Sequence, residues 1–160
     1  MKKFLSFAVF LALLSGCGFV PMYSNNRALA AEQADIYIPP IAGTNGIDLR
    51  NHLILSWNTA NVPGAKYELK VKLDEPITVY KGLQRTGDAT WEEVRITASW
   101  TLSAGGVVIA RASETASESY TFVSDLVSAN ASKISATQNA IFGIGQKIEM
   151  KVNAKLKSEL

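Results

Sequence analysis

Eight consecutive residues, Lys66-Tyr67-Glu68-Leu69-Lys70-Val71-Lys72-Leu73, alternate strictly between polar and apolar side chains. Successive side chains of a strand point to opposite faces, so Tyr67, Leu69, Val71 and Leu73 share one face and the three lysines and Glu68 the other. The alternation returns in Val94, Ile96, Ala98, Trp100 and Leu102, with Arg95, Thr97, Ser99 and Thr101 between them. Two neighbouring segments of this kind predict an antiparallel sheet covered on one face and wet on the other. Whatever else the chain builds must cover that one face.

The tail supplies most of the cover. Val127, Ala131, Ile134, Thr137, Ile141, Ile144, Ile148, Val152 and Leu156 recur every three or four residues, which predicts one helix of about 30 residues with a single apolar stripe. Gly143 and Gly145 interrupt it and mark a kink or a close approach. A second helix is predicted where Leu49, Leu53 and Trp57 share a face, with Asn45 as N-cap and Asn61, Pro63 and Gly64 at its end. A short strand at Ile36–Ile38 stops at Pro39-Pro40. Pro76–Thr90 reads as an extended arm and turn, and Ser103-Ala104-Gly105-Gly106 as a hairpin loop leading into a strand from Val107 to about Tyr120. The expected fold is α+β: a two-layer sandwich with a four-stranded mixed sheet and two helices on one face, in the order β-α-β-β-β-α. Its first crossover joins parallel strands and is expected to be right-handed.

The N-terminus carries a different signal. Lys2 and Lys3 precede an apolar run from Phe4 to Leu14, long enough for a secretion signal and shorter than the ~20 residues a membrane-spanning helix needs. Leu14-Ser15-Gly16-Cys17 then has the form of a lipobox, in which small residues precede a cysteine that takes lipid on its sulfur. An ordinary cleaved signal with a chance cysteine is the alternative. The chain divides accordingly into a signal peptide (1–16), a lipidated linker (17–34) and one domain (35–160). Several acyl chains on Cys17 would anchor the protein almost permanently, because each buried methylene contributes ~0.8 kcal/mol. By resemblance to sorted lipoproteins, Gly18 in place of Asp favours the outer membrane, on its periplasmic side. Without the first 16 residues, 14 Lys and Arg balance 14 Asp and Glu. That neutrality argues against general nucleic-acid binding, which needs a cationic surface.

Catalytic chemistry is hard to assemble from what remains. Cys17 is the only cysteine and His52 the only histidine, the latter reading as a solvated or core-rim imidazole. Glu92 and Glu93 are neighbours on a predicted strand and therefore point to opposite faces. No metal or cofactor motif is present, and the chain is expected not to be an enzyme. One cluster has functional character: Lys81, Arg85 and Arg95 surround a turn near Val79, Tyr80 and Leu83. Cations beside an apolar surface suit an amphiphile with phosphate groups. An edge strand and loop kept soluble by charge is the simpler account of the same residues.

Leu14-Ser15-Gly16-Cys17-Gly18-Phe19-Val20-Pro21-Met22-Tyr23 resembles the start of the LPS-assembly lipoprotein family LptE, of a divergent, alphaproteobacterial-like type. Leu49-Arg50-Asn51-x-Leu53, Tyr67-x-Leu69-x-Val71-x-Leu73 and the stretch from Arg85-Thr86-Gly87 to Trp100-Thr101-Leu102 are similar to its first helix, second strand, and loop with third strand. The resemblance implies two helices on a four-stranded sheet, and a plug within the LptD-type outer-membrane β-barrel that assists its assembly and the transport of lipopolysaccharide. It further implies lipopolysaccharide contact through a basic residue at Arg85, and through a second near the start of the last helix, where Ser128 or, displaced, Lys133 stands. A polar open sheet face also suits the polar lumen of a barrel. The rivals are an auxiliary lipoprotein of a lipid-transport ABC (MCE-type) system and a hydrolase with an unrecognised site.

Overall fold

The computed structural model describes residues 26–83, 89–121 and 125–160. The order is helix α1 (Asn26–Ala34), strand β1 (Ile36–Tyr37), helix α2 (Thr44–Trp57), strands β2 (Tyr67–Leu73), β3 (Ile77–Leu83), β4 (Ala89–Ala104) and β5 (Val107–Thr121), and helix α3 (Leu126–Glu159). The fold is α+β with a mixed sheet, as the alternation required. β1 pairs parallel to β2, and every other pairing is antiparallel.

The sheet is organised around β4. One edge of β4 receives β2 along Ala98–Ala104 and β3 along Ala89–Arg95, so these two strands lie end to end. Between them the Asp74 N–H donates to the Thr97 carbonyl at 2.9 Å, which carries the ladder across the gap before Pro76. The other edge of β4 is taken by β5. The sheet thus has five strands in four columns, which refines the four-stranded expectation. Pro76–Thr90, expected as arm and turn, holds the extra strand. Pro76 cannot donate to a ladder and splits one long column into two.

The inner face meets the expected pattern. Tyr67 and Leu69 on β2 and Val94, Ile96, Ala98, Trp100 and Leu102 on β4 are buried, together with Leu49, Leu53 and Trp57 of α2 and Ile141, Ile144, Ile148, Val152 and Leu156 of α3. The first third of the expected α3 stripe is out of phase. Val127 and Ile134 are exposed, while Ala129, Ala136 and Ala140 face the sheet. Further along the helix, β5 presents Ala116 beneath Gly143, and small side chains on both partners let α3 lie close there. Asp125 caps this helix by accepting from the Ser128 N–H at 3.0 Å. Its bonds from Ser128, side chain first and then backbone, hold its carboxyl below the usual range.

Two other local expectations are corrected. The N-cap of α2 is Gly43 at φ 79°, not Asn45, which sits inside the first turn. The helix ends at Asn58, whose φ of 49° is left-handed and whose N–H returns to the carbonyls of Ile54 and Leu55. Residues 26–34, expected as linker, form α1. Leu29 is its one buried apolar side chain, and Gln33 Nε2 donates to Asn153 Oδ1 at 2.8 Å, an oxygen that also accepts from Trp57 Nε1 at 3.1 Å. Lys66 Nζ bonds Glu32 of α1 at 2.6 Å and ties that helix to β2.

The two helix glycines are not equivalent. A Cβ on Gly145 would meet His52 Cδ2 at 2.2 Å, so α2 and α3 cross here only because the side chain is absent. A Cβ on Gly143 would meet Ala116 Cβ at 3.6 Å, an ordinary contact. Gly145→Ala should therefore lower the free energy of unfolding by about 1–3 kcal/mol through overpacking. Gly143→Ala should be neutral or raise it by up to about 1 kcal/mol through helix propensity. Urea unfolding of both variants tests this, and His52→Ala should reduce the cost of Gly145→Ala.

Candidate functional site

The helices cover one side of the sheet only, and alternation sends every second side chain to the other. β4 contributes Trp91, Glu93, Arg95, Thr97, Ser99, Thr101 and Ser103 to this open face. β5 contributes Arg111, Ser113, Thr115, Ser117, Ser119 and Thr121 in register beside them. Thr97 Oγ1 and Thr115 Oγ1 lie 3.1 Å apart in the middle of a hydroxyl ladder. Lys70 and Lys72 of β2 stand opposite Thr101 and Ser99, and Ile77 and Val79 of β3 opposite Arg95 and Glu93.

Charge on this face is partly cancelled within it. Glu93 takes Arg95 Nη2 at 2.7 Å and Lys81 Nζ at 3.4 Å, and Glu68 takes Lys70 Nζ at 3.2 Å. The Arg95 guanidinium, and after it the Lys81 ammonium, hold the Glu93 carboxyl below the usual range. Two of the three cations in the sequence cluster are thus engaged with a neighbouring acid. The third, Arg85, and the lipidation candidate Cys17 lie outside the described residues.

Glu92 points inward, opposite to Glu93, as their adjacency required. Tyr80, Glu92 and Tyr120 form a row across β3, β4 and β5. The Tyr120 hydroxyl donates to Glu92 Oε2, and both residues are buried. Burial, and then Glu92, push the Tyr120 hydroxyl well above the ordinary tyrosine range. A second buried acid, Glu114, accepts from Lys151 Nζ at 2.6 Å and lies 3.4 Å from Trp100 Nε1. His52 lies at the α2–α3 crossing rather than in solvent, with Nε2 2.9 Å from Glu149 Oε1 and its ring 4.3 Å from that of Phe142. Each of these groups joins secondary-structure elements, and none faces an open cavity.

Lys133 is exposed on α3. It lines a cleft of about 470 Å³ between the start of α2 (Thr44, Asn45, Asp48), the β2–β3 connection (Glu75, Pro76) and α3 (Ile134, Thr137). Asp48 and Glu75 give Lys133 acid neighbours in the same cleft. Among the described residues no group of three or more His, Cys, Asp or Glu is placed to hold a metal ion.

The sequence reading missed the exposed apolar pair on the open face, Ile77 and Trp91. The signal was available: Trp91 shares the odd-numbered phase of Glu93, Arg95 and Thr97.

A profile of the prokaryotic membrane lipoprotein lipid attachment site matches residues 1–17 and so ends on Cys17. No curated protein matches the sequence. Among solved structures, a Caulobacter crescentus protein described as a lipoprotein superposes with TM-score 0.64 at 18% identity, covering 81% of this chain and 96% of that one. Rare lipoprotein B from Shewanella oneidensis gives TM-score 0.63 at 12% identity, with coverage of 79% and 98%. A minor lipoprotein from Acinetobacter baumannii gives 0.54 at 14%, with 76% and 92%. At these identities the likeness establishes a shared fold. The attachment site makes the chain a lipid-anchored, membrane-associated lipoprotein, and no helix among the described residues is long and apolar enough to cross a membrane.

The Tyr120–Glu92 pair generates a prediction. A tyrosine whose folded pKa is raised stabilises the fold below its unfolded pKa of about 10 and loses that contribution as pH rises through the folded value. Wild-type stability should therefore fall above pH ~10. Tyr120→Phe should flatten that fall, leaving the smaller share of Tyr67, which burial also raises. At neutral pH the variant should cost about 1–3 kcal/mol, because it leaves a buried carboxylate without its donor. Urea unfolding at stepped pH reads both effects.

Proposed function

We propose that this lipoprotein is a non-catalytic plug for an LptD-type outer-membrane β-barrel, assisting assembly of that barrel and the delivery of lipopolysaccharide to the cell surface. The observation that carries this reading is the open sheet face, polar and rich in hydroxyls along β4 and β5, on a body tethered by lipid. A barrel lumen is polar, and a rigid wedge with hydroxyls and charged groups on one flat side can hydrogen-bond to such a wall. The two-layer arrangement agrees with the fold implied by the resemblance to LptE, and the lipid attachment site agrees with an anchor at Cys17. The reading places the protein on the periplasmic side of the outer membrane.

Lipopolysaccharide contact belongs to Arg85 more than to Lys133. In sequence, residue 85 lies between β3 and β4, and Trp91 is exposed near the start of β4. Lys133 shares its cleft with two carboxylates, which oppose a second anion.

Capture of the tagged protein from detergent-solubilised outer membrane tests the reading. A barrel of LptD size as main partner supports it; an ABC or MCE-type component would replace it with the rival lipid-transport role. Cys17→Ala should release the protein from membrane fractions in cells lacking the barrel. Arg85→Glu should weaken lipopolysaccharide binding several-fold with an unchanged unfolding midpoint, and an unchanged affinity would return Arg85 to a solubilising role.

A further inference from the structure

The open face carries side chains that a hydroxyl-lined plug does not need. In the half where β3 pairs with β4, Ile77 is 54% and Trp91 53% exposed, whereas Trp57 and Trp100 are 4% exposed in the core. Further along, Lys72 aligns with Ser99 and Ser113, and Lys70 with Thr101 and Arg111. Lys72 and Arg111 are exposed, and neither is in an ion pair among the described residues. Among the described residues, Lys70, Lys72, Lys81, Arg95 and Arg111 share this side with Glu68 and Glu93, and Asp74 lies at the end of β2. A chain that is neutral without its first 16 residues thus gathers an excess of positive charge on one flat surface.

The anchor decides what lies within reach of that surface. Nine peptide units separate Cys17 from Asn26, the first described residue, a span of at most about 30 Å fully extended. The folded body is therefore held against the bilayer that takes the lipid. Tryptophan favours the headgroup level of a membrane, where its ring is half apolar and its N–H stays wet. Lysine and arginine lay their aliphatic stems along apolar surface and extend their charges to phosphate. A surface bearing exposed Trp and Ile together with uncancelled cations matches an anionic headgroup layer in both respects.

We propose that the open face docks on the anionic phospholipid surface of the membrane that holds the anchor. Trp91 and Ile77 enter the headgroup layer, and Lys72 and Arg111, helped by Lys70, meet lipid phosphates. This surface does not depend on the barrel reading. Bilayer and barrel wall would cover the same face in turn, since one occupant excludes the other.

The test uses the chain from residue 17 onward carrying Cys17→Ala, so that no lipid anchor contributes. It is titrated with vesicles of phosphatidylethanolamine containing phosphatidylglycerol, and separately with phosphatidylcholine vesicles. The anionic vesicles should sediment the protein and shift its tryptophan emission to the blue. Trp91→Phe should abolish the shift, because the other two tryptophans are already buried. Lys72→Glu with Arg111→Glu should lower the partition coefficient by roughly tenfold or more, with circular dichroism showing the same melting transition. Absence of sedimentation, equal partition into phosphatidylcholine, or unchanged binding by the double reversal would overturn the proposal. So would an emission shift with lipopolysaccharide micelles and none with phospholipid vesicles. A failed barrel capture leaves this surface standing, and a failed vesicle titration leaves the plug standing.

Discussion

The packing of α3 along the β4–β5 hairpin is the contact on which the rest of the structure depends. At 1.5 Å per residue the 34 residues of the helix run about 50 Å, and at 3.3 Å per residue the 16 of β4 run about the same. One helix can therefore cover one strand from end to end, and β4 is the strand to which β2, β3 and β5 all pair. Ile144, Ile148, Val152 and Leu156 are fully buried in that seam along with Val94 and Leu102. At roughly 25 cal/mol per Å² of apolar surface, each such side chain contributes about 1.5–3 kcal/mol. α2 then fills the remaining width over β1 and β2, and its crossing with α3 is set by the notch at Gly145 into which His52 fits.

Covering only one face leaves a wet face and a free edge, and the sequence treats the two differently. The Thr97 carbonyl is occupied by Asp74, on the side of β4 away from β5. Thr97 and Thr115 are therefore a pair without mutual ladder bonds, and the backbone groups of Thr115 point out of the sheet at the β5 edge. Lys147 Nζ reaches from α3 and donates to that Thr115 carbonyl. Glu114, one residue away, is a charge turned inward on an edge strand and matched by Lys151. Inward charge and lysine at an edge are the means by which sheets avoid pairing with other chains. The β5 edge is thus guarded while the face is left available, which favours recognition through the flat surface over strand addition at β5.

How much of this was legible follows from how each element meets its neighbours. Strands that alternate against a cover announce themselves, and β2, the second half of β4 and the last two turns and more of α3 needed nothing beyond period and hydrophobicity. β3 did not, because Ile77 and Val79 face outward and the helix layer stops short of Thr78 and Tyr80 on the other side. The start of α3 misled because its sheet-facing residues are alanines, which carry too little hydrophobic signal to outweigh Val127 and Ile134. α1 was invisible for the same reason: one buried leucine and two polar contacts hold it. Of the candidate site, the opposed directions of Glu92 and Glu93 were readable from adjacency alone. That Arg95 shares a face with Glu93 follows from the same alternation, but the approach of Lys81 to Glu93 was not readable, since it depends on the pairing of β3 with β4.

The anchor and the asymmetry of the sandwich act together. A lipid on Cys17 confines the domain to a thin shell above a surface but leaves its orientation open, because a short tether limits distance and not rotation. Orientation has to come from a difference between the sides of the body. The helix side is convex and mixes apolar residues with the lysines of α3, of which Lys151 and Lys155 are paired with carboxylates, whereas the sheet side is flat, hydroxyl-rich and cationic, with Trp91 and Ile77 in the half formed by β3 and β4. Placing those two in the half formed by β3 and β4, away from the β4–β5 turn at Gly105-Gly106, gives the face a direction along the strands as well as a side. A tethered domain with both a side and a direction meets the next surface in one pose, which is what a part that must enter another protein requires.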